Sequence, residues 1–216
     1  MEKKKQSYSL VQIILTVLFV SCFLISNILA VKQIQLPFGI TMTSAVYIFP
    51  IVYILSDVFS EVYGYKWSRI TCYMAFAMNI LMVIFFELAI ITKAPAYYTM
   101  SDAVKSVLGS SFRTLVASLT AYVAGDFIND VVFREMKKRH KGEMKGFGLR
   151  AILSSLCGEI VDSSIFIPIA FIGLMPTKNL IIMGITQVVL KVAYEIVILP
   201  FTSLTARKLT KYERNA

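Results

Sequence analysis

The sequence predicts an all-α polytopic membrane protein, a bundle of six transmembrane helices with both termini cytoplasmic. Three observations lead there. The 216 residues are 57% hydrophobic and only 16% charged, with a mean hydropathy of +0.70, far too apolar for a water-soluble domain of this length. Six apolar runs approach the length of about 20 residues that a helix needs to cross hydrocarbon. Lys and Arg gather on one side of those runs.

The spans are expected at about 9–31, 41–63, 69–92, 112–134, 150–174 and 179–206, and residues 1–216 read as a single integral membrane domain. The basic opening "MEKKKQSY" precedes the first run. That run is too long for a signal peptide and no small-residue cleavage site follows it, so it is read as a retained span. "LPFG" at 36–39 is a turn signal before the second span. Between the third and fourth spans, "SDAVKSVL" has the pattern of a short interfacial helix with Ser101 as N-cap. "LMPTKN" at 174–179 marks a tight hairpin between the fifth and sixth spans.

Orientation follows from the cations. With the N-terminus inside, sixteen Lys and Arg fall on the cytoplasmic side and five outside, Lys191 lying within a span. The net charge of +9 is concentrated in the inner loops. The run "REMKKRHKGEMK" therefore reads as a topology signal facing anionic lipid, and no nucleic-acid partner is expected. Cys22, Cys72 and Cys157 each sit inside an apolar run without metal-ligand spacing, and are read as buried packing residues.

Eight of the 13 acidic residues fall within or at the ends of spans: Asp57, Glu61, Glu87, Asp126, Asp130, Glu159, Asp162 and Glu195. A charge at helix centre costs roughly 2.5–3.5 kcal/mol on insertion scales, so such residues face a bundle interior or a wet cavity. Asp57 with Glu61, Asp126 with Asp130, Glu159 with Asp162, and Lys191 with Glu195 each share a helical face. Asp57, Asp126 and Asp162 are deepest and are assigned to a cavity wall. Asp162 and Lys191 lie at matching depth on antiparallel neighbours, spaced to pair. Glu61, Asp130 and Glu87 lie near the boundaries, where solvation alone accounts for them, and Lys191 with Glu195 reads equally as a structural pair. Asn27 and Gln187 add polar atoms, Asn27 also fitting the role of interhelical glue. Arg113 is placed at the outer mouth, to guide or gate.

With one histidine, His140, in a basic loop, the sequence offers neither a histidine-based metal site nor a Ser-His-Asp triad. It has no P-loop. "VAGD" at 123–126 approaches the Gly-x-Gly-Asp signature of intramembrane aspartyl proteases, but Val123 replaces its first glycine and no Tyr-Asp partner exists in another span. No cofactor, no metal and no enzymatic activity are expected.

Four segments carry a family resemblance: "FPIVYILSDVFSEVYGYKWSR" (49–69), "RTLVASLTAYVAGDFINDVVFREMKKR" (113–139), "LRAILSSLCGEIVDSSIFIPIAFIG" (149–173) and "LKVAYEIVILP" (190–200), with "SN" at 26–27. Together they resemble the queuosine precursor transporter family, grouped with vitamin uptake transporters, over nearly the whole chain. The resemblance implies six transmembrane helices in the bacterial cytoplasmic (plasma) membrane. It also implies import of 7-deazaguanine bases: queuine and the cyano- and aminomethyl-deazaguanine precursors. The family carries Gly-Gln or Gly-Glu in the fourth span where this chain has Gly125-Asp126, and variable polar residues where it has Gly158-Glu159.

The residue chemistry suits such a ligand. A guanine-like base presents N1–H and an exocyclic NH2 side by side, which one carboxylate accepts in bidentate fashion. Its acceptors want donors such as Asn27, Asn129, Gln187 or Lys191, and its flat ring an aromatic slot. A second carboxylate would pair with the protonated amine of queuine or the aminomethyl precursor. The expected cargo-binding set is thus Asn27, Asp57, Arg113, Asp126, Asn129, Glu159, Asp162, Gln187 and Lys191, in a secondary importer working by alternating access. The alternative is a substrate-binding subunit of an ATP-driven vitamin uptake complex, which would bring shared energising subunits as partners. A non-transporting sensor or structural protein is the third class. A homo-oligomer is compatible with all three.

Overall fold

The computed structural model describes residues 9–37, 40–139 and 147–215. Helix α1 covers Leu10–Leu29, capped by the Ser9 side chain accepting from the Gln12 amide. A small antiparallel hairpin follows, β1 Gln33–Gln35 against β2 Thr41–Thr43, with Ile34 opposite Met42. Then come a 3-10 turn at Ser44–Tyr47, α2 at Phe49–Val58 and a π turn at Phe59–Tyr63. Helices α3 (Tyr65–Ile91), α4 (Ser101–Leu108), α5 (Ser110–Arg139), α6 (Phe147–Phe171) and α7 (Thr177–Asn215) complete the chain.

The chain is mostly helical and forms a multi-pass membrane protein. Helices α1, α3, α5, α6 and α7 each hold a stretch long and apolar enough to cross a bilayer. Their outward faces carry exposed Ile84 and Phe85, Val123 and Phe127, and Ile181, Ile185 and Val189, apolar surface suited to lipid. Helix α7 runs 39 residues, about 58 Å at 1.5 Å per residue, longer than the bilayer is thick.

Where the sequence predicts one continuous span at 41–63, the structure has a hairpin strand, a 3-10 turn, a short α-helix and a π turn. Proline in the first turn of α2 fixes its start. Gly64, at φ +83°, takes the left-handed turn that ends the segment. The ten residues of α2 rise only about 15 Å, half the hydrocarbon thickness. Irregular backbone at membrane depth is tolerated only inside protein or along a wet cavity, and this segment lies against α1, α3 and α7. The hairpin also closes the end of α1: Ser44 donates its amide to the Lys32 carbonyl and its hydroxyl to the Leu29 carbonyl.

Two smaller expectations also change. Ser101 is the first residue of α4 and does not cap it; Met100 holds the cap position without a side-chain bond. Of the cysteines, Cys22 is buried but Cys72 and Cys157 are half-buried. The predicted hairpin between the last two spans turns at Gly173, φ +81°. Lys3 to Lys5 and residues 140–146, with His140, lie outside the described residues.

Two apolar clusters hold the bundle. One joins α5, α6 and α7 through Ala117, Ala121, Phe166, Ile167, Ala170 and Met183. The other joins α1, α2, the π turn and α3 through Phe19, Cys22, Val52, Leu55, Phe59 and Ala75. The space left between the two clusters is the candidate site.

Candidate functional site

Six helices each give one face to a cavity of about 360 Å³. Helical spacing does the selecting: residues three or four apart meet on one face. Phe19 and Phe23 come from α1, Tyr53 and Ser56 from α2, and Tyr65, Ser68, Arg69, Cys72 and Phe76 from α3. Ser118, Tyr122, Asp126 and Asn129 descend α5, Asp162 and Phe166 lie on α6, and Gln187 and Lys191 on α7. The volume lies at the small end of the range of about 300–1,000 Å³ for small-molecule sites.

Two charge clusters dominate. In the first, Arg69 Nη2 lies 2.7 Å from Asp126 Oδ2. Its Nη1 donates to the Tyr122 hydroxyl at 2.9 Å and its Nε to the Tyr65 hydroxyl at 2.7 Å. The guanidinium also sits 4.9 Å from the Tyr65 ring centre, a cation–π contact. In the second, Lys191 Nζ lies 2.6 Å from Glu159 Oε2 and 2.7 Å from Asp162 Oδ2, with the Tyr53 ring centre 6.0 Å away. A side chamber of about 140 Å³ behind it is lined by Tyr53, Ser155, Glu159 and Glu195. Charges at this depth are retained only when paired or wet, and here they are paired.

Between the clusters runs an aromatic wall. Phe23 meets Phe76 edge-on at 5.1 Å between ring centres, and Phe76 meets Tyr122 at 5.0 Å. Such faces suit a flat heterocycle.

The helices that carry the carboxylates approach closely because two glycines face each other. A Cβ on Gly125 would stand 2.9 Å from the Gly158 carbonyl oxygen, and a Cβ on Gly158 would stand 2.9 Å from that of Gly125. Small residues permit this contact between membrane helices. It sets Asp126 and Asn129 of α5 opposite Glu159 and Asp162 of α6.

Of the residues expected from sequence, Asp126, Asn129, Asp162, Gln187 and Lys191 line the one cavity. Glu159 stands beside it, held on Lys191. Asn27 is buried and joins α1 to α5: its Oδ1 accepts from the Ser118 hydroxyl at 3.2 Å, and its Nδ2 donates to the Phe23 carbonyl. Arg113 is not on the cavity. Its guanidinium donates to the carbonyls of Ile169 and Ile172 and closes the last turn of α6. Asp57 belongs to α2, but its side chain, like that of Asp130, lies outside the described residues.

Sequence reasoning missed Arg69, Tyr65 and Tyr122. Arg69 reads as a loop cation only if the third span starts there; helix α3 starts at Tyr65. The spacing of Tyr65, Arg69, Cys72 and Phe76 is a polar-to-aromatic helical face, and it was the available signal.

Residues 43–205 match the model of the family described as "Putative vitamin uptake transporter". A Bacillus subtilis (strain 168) protein named "Probable queuosine precursor transporter" is 23% identical over 192 residues, covering 88% of this chain and 82% of the relative. No solved structure matches. The family match takes in the broken segment, both charge clusters and the paired glycines, and by it the chain belongs to the vitamin uptake transporter family.

Proposed function

We propose that this protein imports queuosine precursors, the 7-deazaguanine bases, across the bacterial plasma membrane by secondary alternating access. The whole chain acts as one transporter domain with both termini cytoplasmic, as the Lys and Arg distribution favours. The observation that carries the reading is the cavity itself: carboxylates from α5 and α6, cations from α3 and α7 and an aromatic wall converge on a volume suited to one small heterocycle.

Each part has a task. Asp126 or Asp162 accepts the paired N1–H and NH2 of the base, a strong charge-assisted contact. Asn129 and Gln187 offer amide donors to its oxygen and ring nitrogens. Phe23, Phe76 and Tyr122 bound the ring faces. A protonated amine on the cargo would be received by the carboxylates around Lys191, which outnumber it. Pairing Arg69 with Asp126 and Lys191 with Glu159 and Asp162 keeps the unloaded site from holding these ions bare in a low dielectric.

The test is genetic and direct. In cells unable to make their own precursor, deleting the gene is expected to abolish queuosine in tRNA when each labelled base is supplied outside, and restoring the gene to restore it. Undiminished salvage without the gene would contradict the function. Uptake by the protein alone, in a strain lacking energising subunits of vitamin uptake complexes, separates a secondary importer from a subunit of such a complex.

A further inference from the structure

The cargo cavity continues past Lys191 into a second space. Along the glycine crossing, a gap of about 190 Å³ runs from Asp126 and Asn129 of α5 to Ser155 and Glu159 of α6. There it meets the side chamber of about 140 Å³, which shares Tyr53 and Lys191 with the main cavity and adds Tyr194, Glu195 and Ile198 of α7. Helical spacing builds the chamber: Ser155 and Glu159 stand one turn apart on α6, and Lys191 and Glu195 one turn apart on α7. Tyr53, from the broken segment, stands at the junction and lines the main cavity, the gap and the chamber.

The charges along this route do not balance. Arg69 answers Asp126. Among the described residues lining the gap and the chamber, Lys191 is the one Lys or Arg, and it already holds Glu159 at 2.6 Å and Asp162 at 2.7 Å. Glu195 accepts a hydrogen bond from the Ser155 side chain and forms no ion pair among the described residues. Oε2 of Glu159 is fully enclosed and, beyond its ion pair, accepts no hydrogen bond among the described residues. One ammonium thus faces three carboxylates. Ionisable groups at membrane depth that their own protein does not match mark the path of a substrate or an ion. The other side chamber, also about 140 Å³, has Met42, Val46, Pro50 and Leu190 among its walls and offers a cation no carboxylate.

We propose that the chamber holding Glu159 and Glu195 is the subsite for a protonated amine on the cargo's side arm, and that Glu195 sets a preference for amine-bearing precursors over the nitrile-bearing one. The proposal rests on the transporter reading and narrows its cargo. With the base edge on Asp126, the arm follows the gap toward Glu159 and Glu195. An ammonium brings three donors and no acceptor, and an ionised carboxylate is an acceptor only. The two meet in charge-assisted hydrogen bonds, among the stronger contacts a protein can offer. Lys191 keeps Asp162 as its partner while Glu159 turns to the cargo. A nitrile is a neutral acceptor. In the same place it leaves both carboxylates without the donor that an ammonium supplies.

The test is equilibrium binding to the purified full-length protein in nanodiscs at neutral pH, with three bases that differ only in the arm. They are the aminomethyl and cyano precursors and the hydroxymethyl analogue, which matches the aminomethyl arm in size without its charge. The wild type is expected to bind the aminomethyl base at least about tenfold more tightly than either of the others, the scale of one charge-assisted bond. Glu195→Gln is near-isosteric and is expected to lower the ratio of aminomethyl to cyano affinity by at least about threefold. A ratio measured on one sample cancels any change in the folded fraction. The wild-type preference needs no variant, so it decides the matter where Glu195→Gln fails to reach the membrane. Equal wild-type affinities, a hydroxymethyl base bound as tightly as the aminomethyl one, or an unmoved ratio in folded Glu195→Gln would each overturn the proposal and leave the transport reading standing. Binding of none of the three bases would overturn both.

Discussion

The Arg69 and Lys191 clusters solve one problem in two ways. Arg69 meets a single carboxylate through Nη2 and gives one bond from each of its other two nitrogens to a tyrosine hydroxyl. Its planar guanidinium is matched to several acceptors at fixed angles. Lys191, a compact charge on a flexible stem, bridges Glu159 and Asp162 with its side chain 11% exposed. The first cluster is balanced in formal charge and locked by geometry. The second carries more carboxylate than cation and is held by one ammonium shared between the acids. Under the proposed function, the surplus of acceptors around Lys191 suits a wall that receives donors from outside, and the many-bonded Arg69 holds Asp126 in one orientation toward the base.

The comparison is broken most severely by Lys191→Gln. It strands two carboxylates at once, and uncompensated buried charge is among the costliest changes a protein can suffer. Uptake is expected to fall below detection, with membrane abundance reduced on an immunoblot. Adding Glu159→Gln to that variant removes one stranded charge and is expected to restore part of the abundance. No recovery would mean that the two residues do not share one charge balance. Arg69→Gln strands only Asp126, whose side chain is 32% exposed, so water screens part of the loss. Uptake is expected to drop by at least about tenfold, the scale of one charge-assisted bond, with near-normal abundance. Arg69→Lys keeps the charge but loses the fork, and a smaller loss is expected.

Gly125→Ala and Gly158→Ala probe what sets the clusters side by side. Either methyl group would press on a backbone oxygen at 2.9 Å, and forcing space into a packed contact costs about 1–3 kcal/mol. A lower melting temperature in detergent and weaker uptake are expected from both. Gly184 has open space where its Cβ would stand, so Gly184→Ala is expected to change neither. Arg113→Gln is likewise expected to spare transport. Its two bonds close α6 and do not reach the cavity. Melting temperature should fall while uptake per folded molecule is retained; a specific uptake defect would return Arg113 to the transport path.

The long helices were legible because hydrocarbon imposes length and apolarity together, and α1, α3, α5, α6 and α7 satisfy both. The segment 41–63 satisfies the same composition without the same backbone. Hydropathy counts side chains and does not register that proline begins α2 within the run or that a hairpin precedes it. Charges at depth pointed to the cavity, and Asp126, Asp162 and Lys191 stand on it. Arg69 was hidden because a cation near a span boundary has a sufficient explanation in topology, and only the start of α3 at Tyr65 turns it inward. Arg113 erred the other way: it lies near a mouth in sequence, but the open carbonyls at the end of α6 claim it.

Direct binding of a labelled 7-deazaguanine base to the purified protein in lipid nanodiscs tests most closely whether the cavity is the cargo site. Saturable binding to the wild type is expected. Asp126→Asn and Asp162→Asn are each expected to weaken it by at least about tenfold, the scale of one charge-assisted hydrogen bond. Undiminished affinity in both variants, with the protein folded, would contradict it.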